Sequence, residues 1–291
     1  MQIVINQTLP MKFLLILLLF TSSFVSWSQT AYGSISSGYQ FGVGKQNLEH
    51  HSASDFFEFN TWSWQKVDVS LGKGAMTNFA LGYDFNQHYG VALTGSYLFG
   101  AEFSSKDNNY QNTTYERKLS ATMIRINPSF RMYVGEKRFR TYADIGFILG
   151  IGKVNFNYSG YTIDTTRVEY NFIYDGGLSF GASARFGVEY NLSKRFLIFG
   201  DFNFISQAYA PEKGYLSKHI QNNVDITESS QQSSYLSEII FVEALLTDPT
   251  FAPDFNEPQL RPKHSYPFHS YGFNIGLKFI LWTKSKQEGG M

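Results

Sequence analysis

Eight stretches of about ten to twelve residues share one pattern along this chain: every second side chain is aliphatic or aromatic, and those between are glycine, small, polar or charged. A side-chain period of two is that of a strand with one apolar and one polar face. The connections alternate in length. Asn86–His88, Gly135–Lys137 and Asn191–Lys194 are tight turns, whereas long polar stretches run over about 45–74, 104–118, 150–175 and 207–267. An even number of strands with alternating short and long connections closes as a meander into a barrel. At about 3.3 Å per residue and a tilt of about 40°, ten residues rise about 25 Å, the height of an outer-membrane apolar band.

Taken in order, the apolar rows are Ile35, Tyr39, Phe41 and Val43; Phe79, Leu81, Tyr83 and Phe85; Tyr89, Val91, Leu93, Tyr97 and Phe99; Ile124, Ile126, Phe130, Met132 and Val134; Phe139, Ala143, Ile145, Phe147 and Leu149; Phe180, Ala182, Ala184, Phe186, Val188 and Tyr190; Phe196, Ile198, Phe202 and Phe204; and Tyr271, Phe273, Ile275, Leu277, Phe279 and Leu281. Pro128 falls inside the fourth and predicts a bulge or weak point in its ladder. The seventh is the least regular, because Leu197 and Phe199 interrupt its polar face.

Composition agrees with strands. Aromatic residues make up 18% and charged residues 16%, with 28 Phe, 19 Tyr and 25 Gly. A net charge of +0 gives no electrostatic basis for binding nucleic acid. The absence of cysteine excludes a disulfide framework, a thiol nucleophile and thiolate metal ligands. Residues 1–28 read as a signal peptide: Lys12, an apolar core Phe13–Phe20 too short to span a bilayer, and Ser26-Trp27-Ser28 as a cleavage site, with Met11 as an alternative start. The expected division is signal peptide 1–28, barrel 29–282 and polar tail 283–291. No apolar run approaches 18 residues after the signal, so a membrane-embedded form must be a closed barrel.

The last strand carries a second kind of information. Asn274, Gly276, Phe279 and Leu281, followed by Trp282, resemble the C-terminal insertion signal of bacterial outer-membrane barrels. In strand count and pattern the whole region resembles the small OmpA- and OmpX-type outer-membrane barrels, in the barrel domain only. The resemblance implies an eight-stranded antiparallel transmembrane up-and-down β-barrel with short periplasmic turns and long extracellular loops, in the outer membrane of a Gram-negative-type bacterium. Its implied partners are outer-membrane lipid, the barrel-assembly machinery and an extracellular ligand or protein held by the loops. No cofactor is implied.

Alternation alone does not say which face is inside. The polar face decides it, because it mixes Asp84, Arg125, Arg131, Arg140, Asp144, Arg185, Glu189, Asp201 and Lys278 with glycine and serine. Five positive and four negative groups suit a narrow lumen filled by ion pairs, with the apolar rows against lipid. On this reading an arginine at Leu277 blocks membrane integration and one at Asn274 is tolerated.

Three features bear on chemistry. Lumen charges could line a polar channel, but eight strands leave an interior just wide enough for side chains, which favours a structural plug. His264-Ser-Tyr266 and His269-Ser-Tyr271 echo the His and Ser pairs of lipid A-modifying barrels, without a carboxylate to orient the imidazole. His50-His51 is a two-ligand fragment, near a cluster of Phe56, Phe57, Phe59, Trp62 and Trp64 that offers an adhesive surface or a rim cover. In the last long connection, Tyr235, Leu236, Ile239, Ile240, Val242 and Leu246 recur at near-helical spacing after Ser234, a candidate cap; a raised hairpin is the alternative, and either would serve as a partner-binding element or lid. The sequence thus predicts a non-enzymatic outer-membrane scaffold. A passive transport barrel for small or hydrophobic solutes is the runner-up, and a lipid A-modifying enzyme the third reading.

Overall fold

The computed structural model describes residues 29–43, 46–53, 65–109, 113–136, 138–162, 167–243 and 254–284. The signal segment, the aromatic cluster from Phe56 to Trp64 and the side chains of His50 and His51 lie outside the described set.

Eight antiparallel strands form a closed ring: β1 Gln29–Gly42, β2 Gly74–Asp84, β3 Tyr89–Gly100, β4 Thr113–Glu136, β5 Phe139–Thr162, β6 Ser179–Asn191, β7 Phe196–Tyr209 and β8 Ser270–Lys284. Each pairs with its neighbours in sequence, and β8 pairs with β1 from Gln29↔Lys284 to Gly42↔Ser270. Following opposed residues once round the ring from Asp84 leads through Gly90, Arg131, Asp144, Arg185, Asn203, Gly272 and Gln40 to Gly74. Leaving β2 at residue 84 and returning at 74 is a stagger of ten residues. With eight strands about 4.8 Å apart, that stagger tilts each strand by about 40°.

The three short connections fall at one end of the ring, the turn end. At the first, Asn86 Oδ1 accepts from the amides of His88 and Tyr89, both at 2.8 Å; at the third, Ser193 Oγ accepts from those of Arg195 and Phe196.

Around the ring the apolar rows point outward and are exposed: Leu81 is 65% exposed, Phe147 75%, Ile275 65%. An apolar belt of that extent is stable in lipid and not in water. Aromatic residues rim it at both edges, with Tyr89, Tyr190, Phe196 and Trp282 at the turn end and Tyr39, Phe41, Phe99 and Tyr271 at the other. A bulge opposite Ala31 and Tyr32 adds Leu281 to β8, so that Leu281 and Trp282 both face out.

Beyond the belt the alternation changes phase. In β5 the outward row Ile145, Phe147, Leu149 and Ile151 is exposed and apolar, whereas beyond it Val154, Phe156 and Tyr158 carry the apolar character on the inward row, which Ile148 had already joined. In β4 the outward Ile124 and Ile126 follow the inward Leu119, Ala121 and Met123. The switch marks where lipid gives way to water outside the strand. Within the stretches expected as loops at 104–118 and 150–175, residues 104–109, 113–118, 150–162 and 167–175 are therefore strand. Both β4 and β5 run 24 residues, about a dozen more than a belt needs. With Phe103–Asn109 on one side and Arg167–Asp175, Lys213–Gln221, Glu238–Val242 and Gln259–Pro262 on the other, they build a sheet standing on the loop end of the barrel.

Two further expectations change. Among the described residues the near-helical stripe is helical only over Ser234–Ser237, Leu246 lying outside them; Glu238–Val242 is a strand, with Ile239 buried and Ile240 exposed, and it pairs in parallel with Gln259–Pro262. Ser234 is not the cap, since the helix starts after Ser233, whose side chain makes no capping bond. At Pro128 the β4–β5 register is unbroken, with Ile126 opposite Leu149 and Ser129 opposite Gly146, so there is an interruption and no bulge. In the amide orientation that satisfies its neighbours, Asn127 accepts from Ser183 Oγ and donates to the carbonyl of Phe147, the residue opposite the proline.

Leu277 lies in the middle of the exposed belt. Replacing it with arginine should cost about 2–4 kcal/mol in lipid. The heat-modifiable, unboiled band on a gel should weaken for Leu277→Arg, and should not for the same change at exposed Leu236 above the belt.

Candidate functional site

Inside the ring the nine charged residues of the polar face separate into two groups. Eight occupy the half of the lumen near the turn end: Asp84, Arg131, Arg140, Asp144, Arg185, Glu189, Asp201 and Lys278. Four cations meet four carboxylates. Arg131 grips Asp144 with two parallel bonds of 2.6 and 2.7 Å and reaches Glu189 at 3.4 Å. Glu189 also takes Arg140 at 2.8 Å and Lys278 at 3.0 Å, while Lys278 lies 3.8 Å from Asp84. Arg185 bridges Asp144 and Asp201 more loosely, at 3.9 and 4.0 Å. Hydroxyls and amides supply the remaining bonds: Tyr133 donates to Asp84 (2.9 Å), Tyr142 to Asp201 (2.8 Å) and Asn274 to Asp201 (2.7 Å).

Aromatic rings insulate this layer. Lys278 Nζ sits 3.6 Å from the Tyr32 ring centroid, and the guanidinium groups of Arg131 and Arg140 lie 4.3 Å from the rings of Tyr142 and Tyr133. The lumen glycines make room for them. A methyl group on Gly82 would lie within the Tyr32 ring and one on Gly187 within that of Tyr142, so these two positions exclude any side chain. Leu197 and Phe199, the irregularity of the seventh strand, face inward and are buried, and Phe199 packs against Tyr142 with ring centroids 6.5 Å apart.

Asn274 and Gly276 also belong to this interior, while Phe279, Leu281 and Trp282 face away from it. Because Asn274 is buried and bonded to Asp201, an arginine there would displace that amide; the tolerance expected from facing alone fails because the space is filled. Tyr32, Tyr133 and Gln207 were not among the expected site residues. Continued alternation past Arg131 points Tyr133 inward, so that signal was present; Tyr32 precedes the first recognisable apolar residue of its strand.

At the loop end the lumen is roofed by apolar side chains. Leu71, Met76, Leu98, Leu119, Met123, Val154, Ile205, Tyr209, Ile239, Tyr266 and Phe268 form one buried cluster, with Leu98, Val154 and Phe268 wholly inaccessible. Phe268 and Leu71 are pinned through Phe268 N to the Gln207 carbonyl and Leu71 N to the Pro267 carbonyl, both 2.9 Å. His269 joins the same seam: its Nδ1 accepts from the Gln207 amide at 3.2 Å and lies 3.3 Å from Ser206 Oγ. Ile239, Tyr266 and Phe268 of the last long connection are thus part of the apolar cluster that covers the loop end of the lumen. At the turn end a vestibule of about 1020 Å³, lined by His88, Arg138, Arg140 and Lys194, ends on the charge layer.

On the standing sheet, His219 locks a short helix, Thr227–Gln231, to the strand Lys213–Gln221. Ser230 Oγ donates to the Ile226 carbonyl, which leaves it to accept from His219 Nδ1 at 2.6 Å, and the imidazole lies over Tyr170 with centroids 4.3 Å apart. Burial holds this histidine below its ordinary pKa.

No family model matches the chain, and no curated protein does. Among solved structures it is similar to Ail, the attachment invasion locus protein of Yersinia pestis, at 10% identity over 88% of this chain and 99% of that one, with a TM-score of 0.29. It is also similar to CarO of Acinetobacter baumannii, at 13% identity over 85% and 97%, with a TM-score of 0.27. The barrel itself rests on the strand register that closes between β8 and β1.

Truncating Glu189 to alanine leaves buried Lys278 with only Asp84 at 3.8 Å as a counter-charge, and should cost about 3–5 kcal/mol in denaturant unfolding from micelles. The His219 contact has a pH signature. The folded state disfavours the protonated ring because burial strips it of water, so the docking of this helix is fully stabilised above an unfolded histidine pKa of about 6.5 and loses stability as pH falls below it, although the Nδ1–H bond to Ser230 survives protonation. Amide exchange over 213–231 should rise between about pH 7 and 5, and should lose that dependence in His219→Gln.

Proposed function

We propose that the chain is an integral outer-membrane protein of a Gram-negative-type bacterium, without catalytic activity, whose barrel anchors the standing sheet as an interaction surface outside the cell. The carrying observation is the lumen: a charge-balanced layer at one end, with Glu189 and Lys278 each 1% exposed, and a buried apolar roof at the other. Such an interior is a plug, and a barrel that does not conduct has its free surface left to work with. The strands β4 and β5 support this reading, because a protein that only spanned the bilayer would not carry them a further dozen residues. The short turns then face the periplasm and the sheet faces outward.

Biogenesis follows the same reading. Residues 1–28 direct export, and the alternation ending in Phe279, Leu281 and Trp282 engages the barrel-assembly machinery before lipid takes over the belt. The extracellular partner is a ligand or protein that contacts the sheet edges and connections. Passive transport is the second reading, and the vestibule at the turn end is what favours it.

Planar bilayers separate the two. Purified protein should give no stable conductance step; a steady, reproducible pore would transfer the function to transport. Because the chain has no cysteine, orientation can be read from single substitutions. Leu236→Cys should react with an impermeant maleimide on intact cells and Arg138→Cys only after the envelope is opened, and the opposite pattern would reverse the topology.

A further inference from the structure

Arg125 is the ninth charged residue of the lumen, and it does not join the other eight. It lies six residues from Arg131 along β4, about 20 Å, beyond the reach of the carboxylates in the charge layer. Those carboxylates are already matched one to one by Arg131, Arg140, Arg185 and Lys278. Arg125 is 1% exposed, beneath the apolar roof. Its Nε donates to Gln207 Oε1 at 2.7 Å and its Nη1 meets the Met76 sulfur at 3.6 Å, whereas its Nη2 has no partner.

Those two contacts fix where the guanidinium lies. Gln207 reaches from β7 across β6, where its Nε2 donates to Ser179 Oγ at 2.7 Å, and Met76 comes from β2, so the guanidinium ends inside the lumen, facing the wall formed in order by β7, β8, β1 and β2. The two strands between its contacts present Ser270 and Gln40. Ser270 is opposite Gly42, two residues along β1 from Gln40, so both side chains sit at the same level of the wall. Gln40 is 0% and Ser270 2% exposed, and Gln40 Nε2, Gln40 Oε1 and Ser270 Oγ have no partner either. Unpaired buried polar atoms are uncommon in folded proteins, and a buried cation without a counter-charge is costlier than any of them. Here three side chains from three strands hold free donors in one buried layer of the lumen, and the surplus charge of that layer is positive.

We propose that Arg125, Gln40 and Ser270 bind a small monovalent inorganic anion of the chloride class, enclosed between the charge layer and the apolar roof. Arg125 supplies the charge through Nη2, and Gln40 Nε2 and Ser270 Oγ complete the donor set. A water molecule would satisfy the hydrogen bonds but leave the charge uncompensated. The roof above and the ion pairs below enclose the anion, so it enters as the barrel folds and exchanges slowly afterwards.

Bromide is the probe. Crystals of wild-type protein folded in sodium bromide should show an anomalous peak in contact with Arg125 Nη2, and density explained by water alone at that position would overturn the proposal. Refolding into detergent at constant ionic strength gives a second readout that needs no crystal. Replacing gluconate by chloride should raise wild-type stability, with the folding equilibrium constant increasing up to about tenfold per tenfold rise in chloride. Arg125→Met should fold equally well in both salts. Equal wild-type stability in chloride and gluconate would also overturn the proposal, whether or not the variant folds.

Discussion

Lipid offers no hydrogen bonds, so every backbone amide in the belt must find its partner on a neighbouring strand, and only a ring without edges satisfies that for all of them. Eight strands with a stagger of ten meet the demand, and in doing so they set the interior to a size that side chains can fill. The rest of the molecule answers to that fixed interior. A lumen this narrow gives a long cation room only where its neighbours are glycine, and places tyrosine rings directly across from the bare backbone of Gly82 and Gly187.

The interior is divided by chemistry. Near the turn end, cations and carboxylates neutralise one another with geometry as tight as the two Arg131–Asp144 bonds. Near the loop end, packing takes over, with the inward phase of β4 and β5 meeting Leu71, Tyr266 and Phe268 much as two layers meet in a soluble domain. The standing sheet therefore behaves as a water-soluble element with its own core, continuous in backbone with a membrane element whose apolar side is reversed.

That reversal also explains what could be read from the sequence. Inside the belt, alternation between an apolar row and a row of glycine and charge gave strand number, order and facing, and eight of the nine charged residues do meet. Above the belt the same strands continue, but the outward apolar row of β5 ends at Ile151 and the apolar residues that follow, from Val154, lie on the inward row, so the pattern breaks and the segment resembles a polar connection. The isolation of Arg125 was not legible, because its position in the pattern is the same as that of Arg131; only the distribution of carboxylates along the other strands separates them. The parallel pairing of Glu238–Val242 was hidden too, because a five-residue strand presents too few residues to distinguish a period of two from one of three to four.

Lys278 has a consequence for how the ring shuts. The first seven strands bring three of the four paired cations and all four of the carboxylates; the fourth cation arrives on β8, the last to leave the ribosome. A slip of β8 by two residues would keep its faces correct and its ladder intact, but would carry the ammonium about 6–7 Å away from Glu189. Lys278 thus works as a proofreading key for the seam: among the registers that hydrogen bonding and hydropathy both allow, one alone brings its ammonium to Glu189 and Asp84 and completes the four-to-four pairing of the charge layer.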